Sequence, residues 1–286
     1  MSARNIRKLS LAACALAASF GAQAAVTSVD GAAGGGLVPW ALMHPAGLTV
    51  SYTNLSVQNF GVQSIAIGDT FMDRVEVSLA HAMTNAPNVG VAISGDDRIN
   101  TDTFGIKVKV LGMSDSTPQV AIGLQAKRTS GQIIDFLKKN NAISSTSGID
   151  FYAAATKVVK VAGKNVILNG TLRATKANTL GILGFGGGAA GHNSYRIEPE
   201  VSVGVFMADN VVLGTEYRAK PNNITALGTQ EKGAYDLFLA YFPAKNMSIT
   251  AAYVNMGQIG PSKVALANNS QTDKQDGLYL QLQANF

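Results

Sequence analysis

The last ten residues alternate with a period of two. Leu278, Leu280, Leu282, Ala284 and Phe286 share one face, and Tyr279, Gln281, Gln283 and Asn285 share the other. The same alternation recurs upstream. Ile106, Val108 and Val110 oppose Lys107 and Lys109; Leu168, Gly170 and Leu172 oppose Asn169, Thr171 and Arg173; Ile197, Val201, Val203 and Val205 oppose Arg196, Glu198, Glu200 and Ser202; Leu213, Thr215 and Tyr217 oppose Gly214, Glu216 and Arg218. Strict alternation predicts half-buried strands rather than helices. Twelve are expected, near 48–57, 61–68, 73–82, 103–113, 117–127, 149–159, 165–174, 195–206, 210–219, 233–242, 247–256 and 277–286.

The connections fall into two alternating kinds. Short turns are expected at Gly68-Asp69-Thr70, Ser114-Asp115-Ser116, Ala162-Gly163-Lys164, Ala208-Asp209-Asn210 and Pro243-Ala244-Lys245. Loops rich in Gly, Asn, Ser and Asp are expected near 83–102, 128–148, 175–194, 220–232 and 257–276. Only the hairpin around Gln58 to Phe60 breaks the rule. An even strand count with short turns on one side and long loops on the other is the layout of a closed, antiparallel transmembrane β-barrel, with both termini in the periplasm.

Composition sharpens this reading. The chain is 47% apolar and only 14% charged, poor in charge beside the ~25% of soluble domains, yet no apolar run after residue 24 is long enough for a membrane helix. Strands that turn one face to lipid and the other inward reconcile the two facts. The amino-terminal end, with Arg4, Arg7 and Lys8, an apolar stretch from Leu9 to Phe20 and then Ala22-Gln23-Ala24, reads as a Sec-type signal peptide cleaved before Ala25. Leu11-Ala12-Ala13-Cys14 is spelled like a lipoprotein box, but too few residues separate Lys8 from Cys14 for a working apolar region. The expected organisation is a signal peptide over 1–24, a Gly-rich segment over 25–47 and a barrel over 48–286, in the outer membrane of a Gram-negative bacterium.

Without Arg4, Arg7 and Lys8 the chain carries 20 Lys and Arg against 18 Asp and Glu, a balance that gives nucleic-acid binding no support. Loss of Cys14, the single cysteine, excludes disulfides, thiolate metal sites and a cysteine nucleophile from the mature chain. No cofactor or metal is expected; Asp96-Asp97 reads as a solvated loop.

Two segments lie outside the strands. Thr27 to Gly47, with Gly31-Ala32-Ala33-Gly34-Gly35-Gly36 and Pro39-Trp40, either enters the lumen as a small plug or lies at the periplasmic rim as an ordered lead-in. In the loop 128–148, Ile133, Ile134, Phe136 and Leu137 have helical spacing, which fits a short helix over the mouth or a packed turn. Gly184-Phe185-Gly186-Gly187-Gly188-Ala189 is spelled like a dinucleotide fingerprint, but a polar segment and a β-period follow, so a flexible loop is expected.

Histidine is scarce: His44, His81 and His192. A hydrolytic barrel needs a nucleophile and a base within hydrogen-bond reach; His81 falls on the lipid face with Val75, Val77 and Leu79, away from Ser78. The candidate site is therefore the inner wall. Parity assigns to it Arg74, Lys107, Lys109, Lys127, Arg173, Arg196 and Arg218, together with Glu76, Glu198, Glu200, Glu216 and Asp236. Arg173, Arg218, Glu198, Glu200 and Glu216 are expected to form one cluster across the seventh to ninth strands. Such a wall either sets a field that selects small solutes or pairs internally and fills the barrel; twelve strands fall between the filled and open sizes.

Several segments together resemble a known family: Gly31-Ala32-Ala33-Gly34-Gly35-Gly36-Leu37-Val38-Pro39-Trp40-Ala41, Gly105-Ile106-Lys107-Val108-Lys109, Val120 to Arg128, Asp150-Phe151-Tyr152-Ala153-Ala154-Ala155-Thr156-Lys157, Leu168 to Asn178 and Gly214-Thr215-Glu216-Tyr217-Arg218-Ala219-Lys220-Pro221. They are similar to the proteobacterial envelope proteins catalogued as domain of unknown function 3034. The resemblance implies an outer-membrane barrel and supplies no activity. The functional expectation is a passive, porin-like channel for small solutes first, a non-conducting structural or assembly-associated barrel second and a hydrolase a distant third. Expected partners are outer-membrane lipid, small solutes and the barrel-assembly machinery, to which Phe286 and Tyr279 of the final strand would serve as the signal.

Overall fold

The computed structural model describes residues 25–87, 95–189, 191–224, 231–259 and 275–286. The signal peptide reading lies outside these residues, as do parts of four of the long loops. Twelve strands form the wall: β1 (Thr49–Val57), β2 (Gly61–Phe71), β3 (Val75–Asn85), β4 (Arg98–Leu111), β5 (Gln119–Ser130), β6 (Ser147–Val161), β7 (Lys164–Thr175), β8 (Arg196–Ala208), β9 (Val211–Arg218), β10 (Ala234–Ala244), β11 (Met247–Asn255) and β12 (Asp276–Asn285). Each pairs antiparallel with its neighbours in the chain, and β12 pairs with β1 from Gly277↔Val57 to Asn285↔Thr49, so the ring is closed.

The period-two sequence explains which way each side chain points. In β12, Leu278, Leu280 and Leu282 stand on the outer surface, while Tyr279 and Gln281 are buried inside. In β2, Ile65 and Ile67 face out, while Val62, Ser64 and Ala66 face in. An outer surface of Leu, Ile, Val and aromatic side chains with a polar interior is the inverse of a soluble domain, and it is stable only against lipid. No helix among the described residues is long and apolar enough to cross a membrane.

The first short turn sits further along than the sequence suggests. Gly68-Asp69-Thr70 is spelled like a turn, but the β2 and β3 ladder continues to Phe71↔Val75, and the chain reverses at Met72 and Asp73 with φ of 53° and 51°. Two successive left-handed residues match the twist of the flanking strands. The shift removes Arg74 from β3 and leaves it exposed in the turn rather than in the lumen.

Two further elements pack against the ring, one inside it and one at its end. Residues 25–43 are buried inside it, apart from the half-buried Val29, and fold on themselves through a short pairing of Val26–Thr27 with Ala33–Gly34. Beyond the far end of the wall, α1 (Gln132–Lys139) buries Ile133 and Ile134 and carries Asp135 in its first turn and Lys138 and Lys139 in its last, as the helix dipole favours. Of the Gly-rich stretch 184–189 expected to be flexible, Gly184 to Gly187 is buried and Phe185–Gly187 pairs with Ile143–Ser145, while Ala189 is exposed; the preceding Asn178–Gly181 is buried as well. The amides of this segment pair with neighbouring loop residues, and the wall's Lys127 and Thr129 donate to the carbonyls of Leu180 and Ile182, partners that composition alone does not show.

Candidate functional site: the charged lumen and the segment inside it

Parity carries most of the predicted lumen charges inward, and the structure joins them into three groups. The largest is a closed ring of alternating sign. Arg173 Nε lies 2.5 Å from Glu200 Oε1, and Arg218 Nε lies 3.2 Å from the same oxygen. Arg218 then reaches Asp30 Oδ2 at 2.9 Å, Lys127 Nζ reaches that same Asp30 oxygen at 3.0 Å, and Lys127 lies 3.4 Å from Asp150 Oδ2. Asp150 Oδ2, 3.6 Å from Arg173 Nη1, closes the ring. Three cations thus alternate with three anions. Five of the six stand on β5, β6, β7, β8 and β9; Asp30 alone comes from the inner segment. All six are buried. Buried charges persist only when paired, and here each has two partners. Arg173 also donates to Gln125 Oε1 at 2.8 Å and stacks on the Tyr152 ring, and Thr175 donates to Asp150.

The second group is Glu76 on β3 and Lys107 on β4, 2.9 Å apart. Glu76 accepts the backbone N–H groups of Ala33 and His44, each at 3.0 Å, and Lys107 donates to the carbonyls of Ala33, Trp40 and Leu42. Both charges therefore act on the inner segment's backbone. The third group centres on Glu216, whose carboxylate accepts Leu37 N–H at 2.7 Å, Trp40 Nε1–H at 3.1 Å and Ser202 Oγ–H at 2.7 Å. Asp236 accepts the Glu216 backbone N–H at 3.1 Å. The Gly run of the segment has a steric cause here: a Cβ on Gly35 would fall 2.0 Å from Glu216 Oε1. Thr171 and Gln119 complete the cradle by donating to the carbonyls of Pro39 and Ala41.

Towards the loop end, Lys127 also donates to Leu180 O and Thr129 to Ile182 O. Glu231 accepts both the N–H and the hydroxyl of Thr179 at 3.0 Å, holding a residue at φ 45°. Burial pulls the Lys220 ammonium down to about 8, with the nearby Glu231 charge pulling it back up. Burial likewise pushes the Glu231 carboxyl above its ordinary range, against Lys220 and the Thr179 hydrogen bonds.

Not every predicted lumen residue joins these groups. Glu198 is half-buried at the outer end of β8; although its Cα faces that of Arg173, the guanidinium leans to Glu200, and the charge that acts on Glu198 is Arg196. Arg196 is itself exposed, because β8 begins there, above the buried part of the wall. Lys109 stands at the short-turn rim, paired with Asp73. His81 is on the outer surface, with Nδ1 2.6 Å from Asp102 Oδ1, while Ser78 is buried inside. The two are on opposite faces of β3. Tyr279 points into the lumen, and Phe286 is exposed past the end of β12 with its N–H on Leu48 O. Sequence reasoning missed Asp30, Trp40 and Asp150 as members of the site. Asp150 shares the parity of the buried Tyr152 and was readable; Asp30 and Trp40 sit in an aperiodic segment, where nothing signals direction.

A closed antiparallel ring with an apolar exterior and a charged, filled interior defines a transmembrane β-barrel of the outer-membrane class. The chain matches, over residues 23–283, the family described as protein of unknown function DUF3034, and it belongs to that family. No curated protein matches it. Among solved structures it is similar to the KdgM porin, at 9% identity and a TM-score of 0.47 over 83% of this chain and 99% of that one. It is similar to the COG4313 outer membrane channel from Pseudomonas putida F1, at 11% identity and a TM-score of 0.46 over 84% and 94% of the two chains. LpxR from Salmonella typhimurium stands at 12% identity and a TM-score of 0.46 over 84% and 100%. These likenesses concern the fold and carry nothing about activity.

Proposed function

We propose that this protein is an outer-membrane channel closed at rest by its own amino-terminal segment, which acts as a plug, and that small solutes pass once the plug is displaced. The observation that carries this reading is the chemistry of the contact. The wall meets residues 25–44 with Glu76, Lys107, Glu216, Arg218, Thr171 and Gln119, groups that water can satisfy when the plug leaves. A barrel built only to be filled has no need of them, since well-packed apolar groups substitute for buried ion pairs at little or no loss of stability. Between plug and wall a cavity of ≈ 20 Å³ remains beside Asp30, Leu55 and Leu180, room for about one water. The closed path is therefore a matter of plug occupancy, and the plug enters from the short-turn end, the periplasmic side in barrels of this layout.

The ring of paired ions favours a second reading, a permanently closed structural barrel. Planar-bilayer recording separates the two. The intact protein should be silent for most of the recording, and a variant lacking 25–43 that still migrates as a heat-modifiable barrel should conduct. A correctly assembled deletion variant with no conductance would end the channel reading and leave the structural one. Should the deletion not assemble, Glu76→Gln with Glu216→Gln loosens the plug with the chain intact, and silence there has the same meaning.

A further inference from the structure

Asp30 is the one member of the six-ion ring that the wall does not supply. Without it the wall keeps Lys127, Arg173 and Arg218 against Asp150 and Glu200, one positive charge in excess at a single buried place. Two cations, Arg218 Nη1 at 2.9 Å and Lys127 Nζ at 3.0 Å, converge on one Asp30 oxygen from different strands, and both side chains are nearly fully buried. This is a built receptor for a carboxylate, filled by the chain itself. We propose that it is a carboxylate-binding subsite of the lumen, that Asp30 occupies it as a stand-in, and that the solute is a small monoanionic carboxylate that binds in Asp30's place. The solute assignment rests on the channel reading; the subsite does not.

The neighbours narrow the ligand class. The same two cations are paired with wall acids, Arg218 with Glu200 at 3.2 Å and Lys127 with Asp150 at 3.4 Å. A dianion such as phosphate meets both acids, whereas a single negative charge restores neutrality, so the wall discriminates by repulsion as well as attraction. The wall beside Asp30 is Leu55, Val62 and Ala82 with Thr101 and Thr103, which suits a short aliphatic chain on the carboxylate. Displacement of Asp30 by such a solute removes two of the contacts that hold the plug, so ligand and plug compete for one site.

Chemical rescue tests the subsite without requiring conduction. Asp30→Ala removes the internal carboxylate, and its heat-modifiable band should convert at a lower temperature than that of the intact protein. Sodium propionate should raise that conversion temperature saturably, sodium phosphate and sodium chloride at equal ionic strength should raise it much less, and in the intact protein, whose own Asp30 fills the subsite, propionate should give no such rise. Adding Lys127→Met to Asp30→Ala should abolish the response. Equal rescue by all three salts, or none by propionate, overturns the subsite; if Asp30→Ala does not assemble, Asp30→Gly is read in the same way. In bilayers, plug-displaced protein should prefer propionate to sodium. Conductance without that preference overturns the solute assignment alone, while silence with intact rescue overturns the channel reading and leaves the subsite standing.

Discussion

At the scale of single residues, Glu216 and Gly35 depend on each other. The carboxylate gathers the Leu37 amide and the Trp40 indole only because Gly35 leaves it space. Gly35→Ala should therefore unseat the plug rather than the wall. With its buried donors left unsatisfied at roughly 1–3 kcal/mol each, the closed state loses ground to the open one. The expected result is raised conductance and faster entry of small charged solutes into proteoliposomes, with normal heat-modifiable migration; a Gly35→Ala protein as tight as the original would count against Glu216 as the plug's anchor. This scale is also where the sequence was least complete. Arg173, Glu200, Glu216 and Arg218 were legible because period-two parity leaves a charge only one inexpensive side. Arg74 and Arg196 have the same parity, yet lie outside the buried wall, because alternation says nothing about where a turn begins, as at Arg74, or where along a strand the burial stops, as at Arg196.

At the scale of elements, all twelve strands were legible, since each is a run of alternation bounded by turn residues. Their ends were not: β4 begins at Arg98, five residues before the alternation near 103 suggests, because Asn100, Asp102 and Arg98 continue the ladder above the apolar band. The final strand bears its own prediction. Phe286 donates its N–H to Leu48 O and ends the outward row of Leu278, Leu280 and Leu282. Its deletion should lower the amount of assembled barrel in the outer membrane, as measured by fractionation and heat-modifiability, far more than shortening the loop near 112–118 does. The packed segment 176–188 bears another. Thr179 is β-branched with a positive φ, a conformation that surrounding contacts must impose, and Glu231 supplies two of them. Glu231→Ala should release the segment, seen as faster hydrogen exchange across 178–186 and cleavage by added protease in intact cells, with the wall strands unchanged. Uniform exchange in the two proteins would show that the latch is elsewhere.

At the scale of the whole molecule, two packed segments meet the wall, residues 25–43 within the ring and 176–188 with α1 at the loop end. Lys127 touches both, donating to Leu180 O and pairing with Asp30. One side chain thus links the two segments. With Asp30 displaced, Arg173 and Arg218, two of the three cations of the central ring, give the wall there its one positive charge in excess. Replacing both by Met or Gln leaves Glu200 and Asp150 with Lys127 alone, so the conducting form should shift towards cations in reversal-potential measurements under a salt gradient. An unchanged reversal potential would place the selective region elsewhere along the path.

The seam between β12 and β1 joins the last strand of the chain to the first. The ring therefore has no closed interior until residues 276–285 have been made and delivered, and for most of its biogenesis the wall is a curved sheet whose inward charges have no opposite side. The amino-terminal segment is made before any of that wall and lies next to β1 in the chain. Its amides, carbonyls and Asp30 are at hand as Glu76, Lys107, Lys127 and Arg218 arrive in turn. The segment that fills the finished ring is thus available to the open sheet before the seam between β12 and β1 forms.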